Sequence, residues 1–171
     1  MRDRGLLLKM DYRHEQGTDI FGLLQRISGT SPVDVMNVRM MVEPQAAAVA
    51  ASNATDTDLN HIREAHEAAI ECHEPATFEL LDAEFHKRIF AATRNELLTC
   101  LHDILRVIRN QTPWIEIKRR SYSEDRRLAY CEDHELILKS LFARDAEGAA
   151  KTMRAHLVSV NRNLFGSISL Y

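Results

Sequence analysis

Residues that interrupt helices are scarce in this chain of 171 residues, with six glycines and four prolines. Cysteine is scarcer still. Cys72, Cys100 and Cys131 form no Cys-x-x-Cys pair and are odd in number, which excludes a disulfide framework and a cysteine-based zinc ribbon. They read as reduced, buried structural residues. No apolar run approaches the roughly 20 residues of a membrane span, and the Met-Arg-Asp-Arg start is too polar for a signal peptide. The expected address is the cytoplasm, without a membrane partner. Basic excess is also missing: the formal charge is −3, which argues against nucleic-acid binding by this chain alone. The short basic segment Lys118-Arg119-Arg120 reads as a solvated helix end.

What is present is helical periodicity, nearly continuous from Val33 onward. Ser31-Pro32 opens a helix through VDVMNVRMMVEPQAAAVAAS, which Pro44 should bend or divide. Thr55-Asp-Thr-Asp caps a second helix reaching about Cys72, and Glu74-Pro75 opens a third to about Thr93. After a turn at Arg94-Asn95, a long fourth helix covers ELLTCLHDILRVIRNQTPWIEIKRR, with a kink expected at Pro113. Ser123 caps a fifth, to about Ala143, and Arg144-Asp145 turns into a sixth that ends near Gly166. Six helices with short loops describe an all-α antiparallel bundle over residues 31–171. Residues 1–30 form a separate arm, where GLLLKM and QGTDIF allow a hairpin and DIFGLLQRIS equally fits a short amphipathic helix.

Three of the eight histidines have apolar helical neighbours. His86 lies one turn after Asp82, on the stripe of Phe78, Phe85 and Ile89. His134 shares a face with Tyr130, Cys131, Ile137, Leu138 and Leu141. His156 shares one with Ala149, Met153 and Val160, and with the polar Thr152, Ser159 and Asn163. Singly, each reads as a hydrogen-bonded core residue, and Asp82–His86 as an ion pair. Together, three inward imidazoles and one inward carboxylate could converge on a divalent metal: zinc first, with nickel, manganese, cobalt or iron as alternatives. His14, His61, His66 and His73 read as surface residues, and His102 as part of a polar face with Arg106 and Arg109. Arg39 falls on the stripe of Val35, Met36, Val42 and Ala46. It is either the partner of Glu43 at i,i+4 or a fork for a ligand carboxylate.

The segments VRMMVEPQAAAVAA, DAEFHKRIFAATRNELL and EDHELILKSLFARDAEGAAKTMRAHL together resemble the FCD ligand-binding domain of FadR-branch GntR-family transcription regulators. The matching elements are an Arg-x-x-x-Glu helix, an Asp-x-x-Phe-His segment followed by Asn, a Glu-x-His helix and a final Met-Arg-x-His helix. The resemblance covers about residues 32–166. It implies a helical, usually dimeric sensor of a small metabolite, often a carboxylate, with a metal at the pocket floor. Carried over, the ligands are Asp82, His86, His134 and His156. Arg39 becomes the favoured effector contact, with Thr152 and Asn163 as further candidates on the His156 face.

Such regulators reach DNA through a winged helix-turn-helix, which thirty residues cannot hold. GLLLKMDYRHEQGTDIF resembles its last hairpin, so the expectation is a truncated or fragmentary regulator that keeps sensing and homodimerisation. The rival reading is a helical-bundle metalloenzyme using the same three histidines and aspartate. Against it, no general base stands beside the ligands, since Glu84 points to the opposite side of its helix. A ferritin-like di-metal oxidase has less support again, because none of the eight histidines follows Glu at three residues.

Overall fold

Helix starts in this protein are marked by short polar side chains that satisfy the free N–H groups of a first turn. In the computed structural model, which describes residues 22, 25–27 and 29–166, seven helices follow Thr30. They are α1 (Pro32–Asn53), α2 (Asp56–Glu71), α3 (Pro75–Ala92), α4 (Glu96–Arg109), α5 (Thr112–Ser121), α6 (Glu124–Phe142) and α7 (Ala146–Phe165). Ser31 Oγ accepts from Asp34 N at 3.1 Å, and Thr55 and Asp58 form a reciprocal capping box. Glu74 accepts from Thr77 N at 2.6 Å, Asn95 from Leu97 N at 3.1 Å, and Asp145 from Gly148 N at 2.9 Å. The all-α bundle expected from the periodicity is what forms.

The two internal prolines act differently. Pro44 does not divide α1, which runs unbroken to Asn53. Proline removes the donor for Met40 O, and that carbonyl faces Arg154 Nη1 of α7 at 3.5 Å instead. Pro113 does more than kink the fourth helix. It lacks the N–H that Arg109 O would receive, so α4 stops at Arg109 and α5 restarts at Thr112, with Gln111 extended between them. The bundle has seven helices among the described residues, where the sequence suggested about six.

The chain divides into two compact units, Met1–Thr30 and Ser31–Tyr171. In the first, Gly22 and residues 25–27 are helical, and the expected hairpin or wing lies outside the described residues. In the second, α1 packs against α3, α4, α6 and α7. Its buried Ala46, Ala47, Ala50 and Ala51 let neighbouring backbones approach closely. Phe85 and Ile89 of α3, Ile137 and Leu141 of α6 and Met153 and Leu157 of α7 are buried as well, while Phe78 packs in a separate cluster with Ala69 and Cys131. The cysteines divide differently from expectation: Cys131 is buried, Cys72 half-buried and Cys100 exposed, all as free thiols.

The α3–α4 and α6–α7 turns share one device. Arg94 and Arg144 take left-handed backbone with φ of 56° and 57°, each directly before the cap of the next helix. That conformation costs a non-glycine residue about 1 kcal/mol. Both side chains return to the α1–α2 corner. Arg94 Nη2 donates to Asp58 at 2.9 Å, while Arg144 donates to Ala54 O and, at 3.0 Å, to Asp56. Arg144→Ala should therefore lower unfolding free energy by about 1–2 kcal/mol, since it loses the bonds and keeps the strain. Arg144→Gly should fall between Ala and wild type in urea denaturation, because only the strain is relieved.

Candidate metal centre

The faces that bury phenylalanine and isoleucine also bury four metal-ligating groups. Asp82 and His86 come from α3, His134 from α6 and His156 from α7, and one donor atom from each lies within 4.8 Å of the others. His134 Nε2 stands 3.3 Å from His156 Nε2 and 3.6 Å from Asp82 Oδ1. The three imidazoles are completely buried, and Phe85 stacks on His134 at 4.1 Å between centroids. All four sequence candidates are thus brought together from three helices.

Carboxylates behind the cluster orient two of its rings. Glu43 Oε2 lies 2.8 Å from His86 Nδ1, and Asp133 Oδ2 lies 3.3 Å from His156 Nδ1. A proton held at Nδ1 by a carboxylate leaves Nε2 as the bare lone pair, the form that binds metals. His86 Nε2 has no hydrogen-bond partner among the described residues. Burial pushes the His86 imidazole down despite Glu43 and Asp82, and it pushes His134 down further with help from His156. Burial alone would raise the Asp82 carboxyl. Any charge on His86 and His134, with the standing charges of Arg109 and Lys118, outweighs it and holds Asp82 well below the usual carboxylate range. Two imidazoles held toward the neutral form, the ring of His156 beside them and an ionised carboxylate, crowded in a dry interior, fit a divalent cation on donor chemistry.

The effector candidates fare unequally. Arg39 is buried and lines a small chamber of about 30 Å³ with Asp82 and His156. It is also committed to Glu43, with Nε donating at 2.5 Å and Nη2 at 3.3 Å. Arg39 and His86 override burial and hold the Glu43 carboxyl well below its ordinary range. Thr152 donates to Gly148 O at 2.8 Å, within its own helix, and does not line the chamber. Asn163 donates to Tyr130 OH at 3.0 Å and reaches the chamber wall only through that tyrosine.

Sequence reasoning missed several participants. His66 is buried beside Phe85 and His134, not on the surface. Its spacing with Leu59, Ile62 and Ala69 is a legible apolar stripe. His102 and Arg109 are buried too, on a face that looked polar. Arg109 Nη2 lies 3.4 Å from Asp82 Oδ2, and Arg109 stands over the Trp114 ring. Lys118 is no solvated end: it pairs closely with Glu79 on α3. Nothing in the sequence marked Glu43 or Asp133 as partners of histidines on other helices. Glu84 pairs with Arg88 at 2.9 Å, away from the cluster.

The FCD domain profile matches residues 34–159. The chain belongs to the FCD domain family. It is 26% identical over 160 residues to the Exu regulon transcriptional regulator of Escherichia coli K12, covering 92% of this chain and 59% of that protein. It is 30% identical over 137 residues to the Uxu operon transcriptional regulator of the same strain, covering 78% of this chain and 53% of that protein. The FCD chain thus spans little more than half the length of these relatives. Among solved structures, Escherichia coli McbR/YncC aligns with a TM-score of 0.67 at 21% identity, covering 77% of this chain and 63% of that one. Streptococcus agalactiae GntR aligns with a TM-score of 0.61 at 22% identity, covering 86% and 64%. These two likenesses establish the fold.

One buried imidazole of the FCD domain stands apart from the metal cluster. His102 packs on Phe90 at 4.9 Å, neither ring nitrogen has a described partner, and burial pushes it down to about 4. Between that value and the ordinary 6.5 the unfolded chain binds the extra proton, so stability rises with pH through this window. Acidification from pH 6.5 to 4 should therefore cost the wild type on the order of 2 kcal/mol through His102. His102→Leu should remove that part of the slope in denaturant titrations across the window.

Proposed function

We propose that this FCD domain is the effector-sensing and dimerisation part of a GntR-type transcription regulator, responding to a small carboxylate metabolite through a divalent metal. The observation that carries the reading is the convergence of Asp82, His86, His134 and His156 within 4.8 Å in the dry centre of the bundle. These residues would hold the ion, zinc first by donor type. When bound it would supply a concentrated positive charge for an anionic effector. Arg39 holds Glu43, which holds His86, so the Arg-x-x-x-Glu motif positions a ligand ring while Arg39 forms a wall of the chamber. Asn163 acts on that wall through Tyr130.

Sensing follows from connectivity. The four donors tie α3, α6 and α7 together, and an effector can shift the helix arrangement only by binding one arrangement more tightly. In a whole regulator that bias would set the spacing of two DNA-binding heads. The relatives' names support regulation over catalysis. The carboxylate closest to the ligand rings supports it as well: Glu43 is bound on both sides, by Arg39 and by His86, and is not free to act as a base.

The homodimer reading rests on α4. Leu97, Cys100, Ile104 and Val107 recur at three- and four-residue steps and are all exposed, the spacing of a helix–helix seam. A second copy offering the same stripe is the partner we assign to it.

Elemental mass spectrometry of the purified, unstripped chain should find about one divalent metal per chain, and chelation should lower the melting temperature by roughly 5–15 °C. His134→Ala should lack the metal and lose the response to chelator. A metal-free, chelator-insensitive wild type would sink the reading. In light scattering, Leu97→Glu combined with Ile104→Glu should convert a dimer to a monomer without loss of helical circular dichroism; an unchanged mass would remove α4 as the seam.

A further inference from the structure

The 30 Å³ chamber beside the Asp–His cluster has room for about one water, too little for a metabolite. Next to it lies a cleft of about 820 Å³ walled by α3, α4 and α5, an ordinary size for a small-molecule site. Glu79, Arg109 and Lys118 line both spaces, so this trio is the partition between them. The cleft offers apolar surface at Ala76, Leu80, Ala83 and Ile115, with the cations Lys87, Arg106 and Arg119 and the carboxylates Glu74 and Glu84 also in its lining.

Within the partition, Arg109 is the cation with donors to spare. Its side chain is only 4% exposed, its Nε has no described partner, and its single ion-pair contact is the 3.4 Å approach to Asp82 Oδ2. Arg39 is bidentate on Glu43, and Lys118 is paired with Glu79. A buried guanidinium with an unsatisfied N–H is costly unless an acceptor arrives.

Charge counting points the same way. Arg39, Arg109 and Lys118 offset three of the four carboxylates that are buried or half-buried around the cluster, Glu43, Glu79, Asp82 and Asp133. A divalent ion on Asp82 and the three histidines turns the excess of one negative charge into an uncompensated positive charge. It also competes with Arg109 for Asp82. The guanidinium that loses its carboxylate is the one facing the cleft.

We propose that Arg109 is the anion-binding residue of this domain, receiving through the α3–α4–α5 cleft a small ligand that carries a carboxylate. This deepens the sensing reading and rests on it, because loading the metal site is what makes Arg109 available. Arg109 presents two parallel N–H groups, the geometry that a carboxylate matches. The apolar cleft wall takes the body of the ligand. Metal and anion should then tighten each other's binding by the same factor.

Cobalt(II) serves as the metal and succinate, acetate and inorganic phosphate as probes, with the full chain observed by its visible absorption and by calorimetry. With cobalt bound, a carboxylate probe should bind saturably, at least tenfold more tightly than to the metal-free chain, and phosphate more weakly than the better carboxylate. Arg109→Gln should raise the carboxylate midpoint tenfold or more at unchanged cobalt stoichiometry, and Arg109→Lys, which keeps the charge and loses the fork, should recover part of it. Equal affinity with and without cobalt in the wild type overturns the proposal, a result that needs no variant. So does an unchanged midpoint in Arg109→Lys and Arg109→Gln, or no binding of any probe to the cobalt-loaded wild type. Failure of the wild type to take up cobalt would instead overturn the metal reading, and this proposal with it.

Discussion

Burying three imidazoles and a carboxylate in an apolar bundle is the constraint on which the rest of this structure depends. Each group costs several kcal/mol in a dry interior if left unpaired. The bundle meets that cost in layers. Arg39 and His86 share Glu43, Asp133 takes His156, and Arg109 with Lys118 faces Asp82. Each layer comes from a different helix, so the centre and the packing of α1, α3, α4, α6 and α7 depend on one another.

That dependence gives single residues two roles. Phe85 is core by composition, yet its ring stacks on His134 and fixes the plane in which that nitrogen is offered. Glu43 neutralises Arg39 and also sets which nitrogen of His86 is bare. The Arg-x-x-x-Glu motif, which from the sequence offers either an ion pair or a ligand fork, is an ion pair here, and through the pair it orients a histidine.

Legibility differed by kind of signal. Helix starts were readable because capping is local: Ser31, Thr55, Glu74, Asn95, Ser123 and Asp145 each act within three residues of themselves. The break between α4 and α5 goes beyond the expected kink because neighbouring contacts decide whether a proline ends a helix or only bends it. Pro44 shows the other outcome, with Arg154 from α7 facing the freed carbonyl. His66 departs from the surface expectation although its stripe is legible, and His102 and Arg109 depart from theirs because a histidine and two arginines on one stripe make a buried face look polar.

By itself the sequence determined the helical class, the caps and the four residues with metal-ligand chemistry, since period and side-chain type are local properties. The family resemblance came from the same residues. Only tertiary structure decided that Glu43 and Asp133 stand behind His86 and His156, that Lys118 is paired with Glu79, and that Arg109 is the guanidinium with an unsatisfied donor. The pairings depend on distances between helices far apart in the chain. Hydrophobic period says which face turns inward, but not which polar group meets it there.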